Sequence, residues 1–238
     1  MTTAVQEQKD EMAATCDIQG SIDGLAAEPA VLQLFHPMPP GPFILAKHRT
    51  SALRRVVLTG YMGAGKTTVG RLLAERIGWN FIDLDALIED RVGRTIAEII
   101  LRDSEPAFRR IESQALAVAL GRRDAVLALG GGAAESLTNR LLLEQTPATL
   151  SVFLDAPFHV LFHRCETQPA AAIRPLLANV AEAEARFSQR LPLYRRIAGL
   201  TLETAKLTPE ATVDKLLTEL RRNHPGAAAE QVLGKAAK

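Results

Sequence analysis

One short segment restricts the fold of this chain more than any other, the glycine-rich run GYMGAGKT between an apolar stretch and a helical pattern. Its spacing, G-x-x-x-x-G-K-T from Gly60 to Thr67, matches the phosphate-binding loop that joins a buried strand to a helix. Glycines let such a loop curl so that its N–H groups point at phosphate oxygens, and the helix N-terminus adds a positive dipole end. The residues predicted to bind a nucleotide in this loop are Gly63, Ala64, Gly65, Lys66, Thr67 and Thr68.

Two side chains of this loop suggest phosphoryl-transfer chemistry. Lys66 can reach the β- and γ-phosphates as a catalytic cation, and the Thr67 hydroxyl can ligate Mg²⁺. An accidental glycine-rich turn is the alternative, but both flanking patterns fit a strand and a helix. The motif therefore predicts ATP and Mg²⁺ binding, and it leaves the acceptor of the phosphate open.

The chain beyond the loop alternates between strand and helix patterns. Apolar runs at RRVVLTG, WNFIDLD, AVLALGGG, TLSVFLD and LTLET predict five strands. Helical segments are predicted over 66–77, 84–92, 95–102 and 105–120, with further helices after the third, fourth and fifth strands. Strands that alternate with helices form a parallel sheet covered on both faces. The sequence thus predicts an α/β protein.

The two ends of the chain differ from this alternating part. Residues 1–50 have weak periodicity and a proline-rich run, FHPMPPGPF, and predict a disordered extension, with a short docking peptide as the alternative. The folded domain is predicted over residues 51–222. Residues 223–238 predict a flexible tail.

Composition argues against several classes of partner. The formal net charge of +1 gives no overall field that would recruit nucleic acid or an acidic membrane. The apolar window TLSVFLDAPFHVLF is interrupted by Asp155 and Pro157, which argues against a membrane span. Cys16 and Cys165 fit neither a disulfide framework nor a metal site. We expect a cytoplasmic monomer without nucleic-acid or membrane partners.

Two carboxylates follow the second strand, at the sheet edge where parallel α/β proteins bind ligands. Asp83 and Asp85 in FIDLDALIE are separated by one residue, so one can face a metal while the other accepts hydrogen bonds from substrate hydroxyls. The alternative is that the pair only caps the following helix.

Arginines and glycines supply the remaining candidates. In FRRIE, Arg109 lies one helical turn from Glu112, and an arginine held in this way can bind a substrate carboxylate, although a surface ion pair is the alternative. The glycines at 130–132 allow backbone amides to approach a ligand closely. Arg174 and Arg190 lie in and after a segment rich in proline and alanine that is typical of a mobile lid.

Together these motifs resemble the shikimate kinase family, from about Leu53 to Arg222. The resemblance rests on GYMGAGKTTVG, DLD, FRRIE, GGG, RPLL and RLPLY, which occur in the family's order and spacing. It implies a three-layer fold of the P-loop nucleoside-monophosphate-kinase type with a five-stranded parallel sheet. It also implies transfer of the γ-phosphate of ATP to the 3-hydroxyl of shikimate, on the chorismate route to aromatic amino acids.

On the nucleotide side, the resemblance implies that Asp83 lies near Mg²⁺, beside Thr67. Arg164 and Pro209 fall where the family sandwiches adenine. Arg174 would bind ATP and act as a catalytic residue by meeting the transferring phosphoryl group.

On the acceptor side, the resemblance implies that Asp85 binds the shikimate hydroxyls and is the candidate catalytic base. Arg109 and Arg190 would bind the shikimate carboxylate. Gly131 and Gly132 would add backbone amides.

Two other functions remain open from the sequence. A kinase for another small hydroxy acid or sugar, such as gluconate, would share the phosphate-binding loop but would not need two arginines directed at a carboxylate. A ligand-sensing module of a regulator should carry a helix-turn-helix ahead of the kinase-like part, and residues 1–50 lack that periodicity.

Overall fold

Five parallel strands form the centre of the domain, in the order β2-β3-β1-β4-β5. The computed structural model describes residues 53–167 and 179–223. The α/β fold and the five-stranded parallel sheet predicted from the sequence are confirmed. The strands are β1 (Arg55–Thr59), β2 (Asn80–Asp83), β3 (Ala125–Ala128), β4 (Thr149–Asp155) and β5 (Leu200–Glu203).

Helices connect the strands and cover the sheet. The segments predicted over 66–77, 84–92 and 105–120 have these bounds in the structure, and the segment predicted over 95–102 is shifted by one residue. The α-helices are α1 (Lys66–Ile77), α2 (Leu84–Val92), α3 (Ile96–Asp103), α4 (Glu105–Leu120), α5 (Leu137–Gln145), α6 (Phe158–Glu166), α7 (Val180–Ile197) and α8 (Pro209–Asn223), and a short 3₁₀ turn spans Ala133–Glu135.

The central strands are buried on both faces. Consecutive residues of β1, Val56, Val57 and Leu58, have no exposed surface, and β3 is buried along its whole length. Because successive side chains of a strand point to opposite faces, burial of neighbours requires cover on both sides of the sheet. The unbroken apolar runs of these strands follow from that arrangement.

The strand register brings three motifs to one edge of the sheet. Leu58 of β1 and Asp83 of β2 both align with Ala128 of β3. The phosphate-binding loop, the two aspartates and the three glycines therefore all begin at the same level, at the carboxyl ends of adjacent strands. Ligands of parallel α/β sheets bind at this edge.

Helix caps account for the element boundaries in this region. Both aspartates were predicted to follow the second strand, but Asp83 is the last residue of β2, and its side chain accepts hydrogen bonds from the first turn of α2. Thr95 and Glu98 form a reciprocal capping box that starts α3.

Several sequence predictions concern residues that the structure does not describe. These are the disordered extension over 1–50, the tail beyond residue 223, and the position of Arg174 in the lid. Within the ranges 53–167 and 179–223, no helix has the length and apolar character needed to cross a membrane.

Candidate functional site

The phosphate-binding loop connects β1 to α1 and packs against α6. Gly63 and Gly65 have φ angles of 75° and 84°, which glycine adopts without strain. A Cβ atom on Gly63 would collide with the carbonyl oxygen of Leu161 and would lie 2.9 Å from the Cys165 sulfur. The glycine at position 63 is therefore required by both backbone conformation and close packing.

Lys66 is the first residue of α1, and its side chain turns back toward the phosphate-binding loop. Its Nζ donates to the carbonyl oxygens of Gly60, at 2.9 Å, and Tyr61, at 3.0 Å. The ammonium group is thus held beside the loop whose amides are predicted to bind phosphate.

Thr67 and Asp83 form a hydrogen-bonded pair next to Lys66. The Thr67 hydroxyl donates to Asp83 Oδ2 at 2.8 Å. Asp83 Oδ1 accepts from the N–H groups of Asp85 and Ala86, at 3.2 and 3.4 Å, so the helix cap and the candidate metal ligand are the same side chain. The two alternatives for Asp83 are compatible.

Mg²⁺ suits this pair of oxygens. In the described part of the chain, no group of three or more histidine, cysteine or acidic side chains is arranged to hold a metal ion. Mg²⁺ in nucleotide sites needs no such cage, because it keeps several waters and uses one or two protein oxygens together with phosphates. A hydroxyl and a carboxylate that already lie 2.8 Å apart beside the loop meet that requirement.

Asp85 lies in the first turn of α2, beneath the first of the three glycines. A Cβ atom on Gly130 would approach Asp85 Oδ1 to 2.6 Å. Burial, followed by the negative charge of Asp83, raises the pKa of Asp85 to about 6, while Lys66 acts in the opposite direction. A carboxyl with this pKa is well suited to accept a proton near neutral pH.

Arg109 of α4 is held by acidic side chains. Its NH1 donates to both carboxylate oxygens of Glu112, at 3.2 and 3.1 Å, and its NH2 donates to Glu105 at 2.9 Å. The side chain of Glu112 is only 1% exposed, so the surface ion pair considered from the sequence is not what forms.

Burial affects the two members of this pair differently. Burial opposes the charged form of Arg109, but the acidic partners outweigh it and raise the pKa of Arg109. Burial raises the pKa of Glu112 despite the attraction of Arg109, because Glu112 is the more deeply buried partner. Burial and the charge of the partner therefore act against each other on both members of the pair.

The second and third glycines adjoin the two arginines. A Cβ atom on Gly132 would overlap the guanidinium group of Arg109, whereas one on Gly131 would have its nearest neighbour, Arg190 NH1, at 3.8 Å. The Tyr194 hydroxyl donates to the Gly131 carbonyl at 2.5 Å. The run of three glycines is therefore explained by the side chains that pack against its first and last members.

Arg190 extends from α7 into the same edge of the sheet. It is 6% exposed, and its guanidinium carbon lies 6.0 Å from the centre of the Tyr61 ring. Its Nε and NH2 donate to the two carboxylate oxygens of Glu135, at 3.0 and 3.1 Å. This bidentate geometry is the one in which arginine binds carboxylates.

Glu135 belongs to this cluster and is the member that sequence reasoning missed. Its carboxylate bridges the two arginines, because Arg109 NH2 also donates to Glu135 Oε2 at 3.3 Å. Buried Asn139 supports the cluster by donating to Glu112 Oε2 at 3.3 Å and to the carbonyl of Ala133 at 2.9 Å. The available signal was the position of Glu135, three residues after the last glycine of a predicted acceptor site.

Arg164 contacts the connection between β5 and α8, which ends at Pro209. Arg164 of α6 donates to the carbonyl oxygens of Thr204 and Ala205, at 2.7 and 3.3 Å, in the connection after β5. Pro209 ends this connection as the first residue of α8. The structure therefore ties α6 to the segment that leads to Pro209.

The predicted acceptor and phosphate residues thus meet at one sheet edge, and only Arg174 falls outside the described residues. A phosphate-binding loop next to a partly buried carboxylate and two arginines defines a P-loop phosphotransferase with an anionic small-molecule acceptor. The family model for shikimate kinase matches residues 62–221, and the chain belongs to the shikimate kinase family.

Related proteins support this assignment over most of the domain. Shikimate kinase from Thermobifida fusca (strain YX) is 42% identical over 170 residues, which cover 69% of this chain and 93% of that protein. Shikimate kinase from Saccharopolyspora erythraea is 44% identical over 164 residues, covering 68% and 90%. The structure of shikimate kinase from Acinetobacter baumannii in complex with shikimate is similar to this one with a TM-score of 0.66, at 36% identity, and covers 72% of this chain and 94% of that chain.

Proposed function

We infer that this chain transfers the γ-phosphoryl group of ATP to the 3-hydroxyl of shikimate, giving shikimate 3-phosphate and ADP. Besides membership of the family, one observation carries this function: Arg109 and Arg190 converge on a single carboxylate, that of Glu135. Two guanidinium groups that hold one carboxylate have the geometry to hold that of an acceptor. Shikimate offers a carboxylate for the arginines and hydroxyls for Asp85.

The nucleotide is proposed to bind along the loop and across α6. The loop amides from Gly63 to Thr68 and the ammonium group of Lys66 would bind the phosphates. Arg164 and Pro209 would flank the adenine, and the contact between Arg164 and the connection after β5 supports their proximity. Arg174 is proposed to meet the transferring phosphoryl group.

Mg²⁺ is proposed to be held by Thr67 and Asp83 together with the nucleotide phosphates. When bound, Mg²⁺ supplies charge neutralisation on the β- and γ-phosphate oxygens. The hydrogen bond between the Thr67 hydroxyl and Asp83 holds the two oxygens 2.8 Å apart. These residues would therefore also orient the phosphate chain.

The acceptor is proposed to lie between the arginines and Asp85, with the amides of Gly131 and Gly132 beside its carboxylate. Asp85 would accept the proton of the attacking hydroxyl, and its raised pKa supports that role. Phosphoryl transfer has little covalent chemistry for the protein to perform, so positioning and charge stabilisation dominate.

An ADP-release assay tests the acceptor directly. Shikimate should stimulate ADP release from ATP, whereas gluconate and other hydroxy acids and neutral sugars should leave it near the background. A regulator-type sensor would bind shikimate without releasing ADP. A sugar that is turned over as efficiently as shikimate would contradict the proposed acceptor.

The cellular setting is also a proposal. The enzyme would act in the cytoplasm, where ATP is available, as a monomer with ATP and shikimate as its partners and without nucleic-acid or membrane partners. The formal net charge of +1 supports the absence of nucleic-acid and membrane partners.

Arg190→Ala is expected to raise KM for shikimate by roughly 10- to 150-fold, the value of a charge-assisted hydrogen bond worth about 1.5–3 kcal/mol. The change in kcat should be smaller, because the carboxylate contact exists in the ground state and the transition state alike. Steady-state kinetics with saturating ATP would measure both constants.

Two comparisons make this test specific to the carboxylate. Arg190→Lys should recover only part of the loss, since a point charge lacks the bidentate fork. A shikimate analogue without the carboxylate should react poorly with the native enzyme, and Arg190→Ala should hardly change its KM. An equal loss for both acceptors would show that Arg190 does not bind the carboxylate.

Alanine at the outer glycines should separate binding from chemistry. Gly130→Ala places a Cβ atom 2.6 Å from Asp85 Oδ1 and should mainly lower kcat, whereas Gly132→Ala displaces the Arg109 guanidinium and should mainly raise KM for shikimate. In both variants the displaced atoms are the ends of flexible side chains, so the fold should persist, which thermal unfolding would verify. The same pattern of kinetic change in both variants would contradict the separate roles.

A further inference from the structure

The two arginines of the acceptor site are already occupied by a carboxylate of the chain itself. Glu135 accepts two hydrogen bonds from Arg190, at 3.0 and 3.1 Å, and one from Arg109, at 3.3 Å. Arg109 directs its remaining terminal nitrogen at Glu112. An incoming carboxylate therefore meets two arginines whose guanidinium groups already form ion pairs within the chain.

Exchange of one carboxylate for another requires that one partner can leave. Arg190 is 7% exposed in its side chain and packs against the ring of Tyr61, so its position is fixed. Glu135 is 35% exposed in its side chain and lies at the end of the short turn Ala133–Glu135. Glu135 is therefore the partner with room to turn toward water when another carboxylate takes its place.

We propose that Glu135 is a specificity-determining residue that occupies the place of the acceptor's carboxylate in the empty enzyme and is displaced from Arg190 when shikimate binds. This inference rests on the proposed function. A carboxylate-bearing acceptor replaces the ion pairs that Glu135 gives up. A neutral hydroxylated molecule that needs the same space offers no such replacement, so Glu135 adds to the discrimination against it.

The Glu135→Gln variant tests this exchange, because glutamine keeps the size of the side chain but cannot form an ion pair with the arginines. Shikimate should bind about fivefold more tightly to this variant, in titration calorimetry without nucleotide. That factor equals about 1 kcal/mol, the upper end of the range for a solvent-accessible ion pair. The kcat value should change less than twofold, because Glu135 takes no part in the transfer.

A double-mutant cycle with Arg190 distinguishes displacement from long-range repulsion. In an Arg190→Ala background, most of the gain from Glu135→Gln should disappear, because the two hydrogen bonds with Arg190 are already absent and only the single bond from Arg109 remains to be released. If the same fivefold gain persisted without Arg190, Glu135 would act only as a nearby negative charge, and the proposal would be overturned.

Two further variants complete the test. Glu135→Asp keeps the charge but is one methylene too short to bridge both arginines, so it should also tighten shikimate binding. Glu144→Gln removes one negative charge from the exposed side of α5 and should leave shikimate affinity unchanged. Thermal unfolding of each variant would verify that the fold is intact.

The native enzyme separates failure of this inference from failure of the proposed function. If the native enzyme neither binds nor phosphorylates shikimate, the proposed function is wrong. If the native enzyme does both, but Glu135→Gln binds shikimate with equal or lower affinity, this inference alone is wrong. Glu135 would then only position Arg190 or have no effect on binding.

Discussion

Lys66→Ala is expected to reduce turnover by at least about 1,000-fold, because the transferring phosphoryl group loses its fixed cation at the point where charge develops. The ammonium group is held 2.9 and 3.0 Å from the carbonyl oxygens of Gly60 and Tyr61, so it is in place beside the phosphate site before the nucleotide binds. Single-turnover measurements with saturating ATP and shikimate would report the loss in the chemical step.

The same hydrogen bonds mean that Lys66 also braces the loop. Part of the effect of Lys66→Ala should therefore appear as weaker ATP binding, which an equilibrium titration separates from the loss in rate. Lys215→Ala, on the exposed side of α8, is the matched control and should behave like the native enzyme. Turnover within tenfold of native in Lys66→Ala would remove this lysine from the catalytic machinery.

Much of the fold follows from local sequence signals. The bounds of α1, Lys66–Ile77, agree with the prediction, because glycines with left-handed backbone conformations precede and follow the helix. The apolar runs of β1 and β4 predict buried parallel strands, because a strand that is covered on both faces needs apolar residues at consecutive positions. Asp83 is both the last residue of β2 and the cap of α2, so strand and helix follow each other without a connecting loop.

The site was predictable to the extent that its residues lie in motifs. The FRRIE motif alone leaves a surface ion pair between Arg109 and Glu112 possible, but the spacing of Glu112 from Phe108 and Leu116 places it on the apolar stripe of α4, which indicates burial. Glu135 carried a weaker signal. It contacts Arg190, which is 55 residues away, and a single acidic residue in a turn usually faces solvent. Only the folded arrangement reveals that it bridges two arginines.

Asp85→Asn is expected to lower kcat by about 10²- to 10⁴-fold, the usual contribution of a general base. The amide keeps the size of the side chain but cannot accept the proton of the shikimate hydroxyl. ATP affinity should change little, since Asp85 is directed at the acceptor rather than at the phosphate-binding loop. Asp90→Asn, on the exposed side of α2, is a control that removes one carboxylate from the same helix.

The pH dependence of the native enzyme gives an independent test of this base. Burial raises the pKa of Asp85 to about 6, with the negative charge of Asp83 as the next cause. A base must be deprotonated to work, so kcat/KM should be level above that pKa and fall tenfold per pH unit below it. An unburied aspartate, with its pKa near 3.9, would keep the rate level down to about pH 4.

The two measurements together identify the titrating group. In Asp85→Asn, the residual activity should lose the acidic limb near pH 6, because the group that causes it is gone. An acidic limb that remained at the same pH would belong to another group, such as a phosphate of ATP. Normal shikimate turnover in Asp85→Asn combined with weakened ATP binding would move Asp85 from the acceptor to the nucleotide. If the acidic limb of the pH profile is lost and ATP binding is intact, the role of Asp85 is to accept the proton of the acceptor hydroxyl. Burial next to Gly130 raises the pKa of this carboxyl into the range that suits that step.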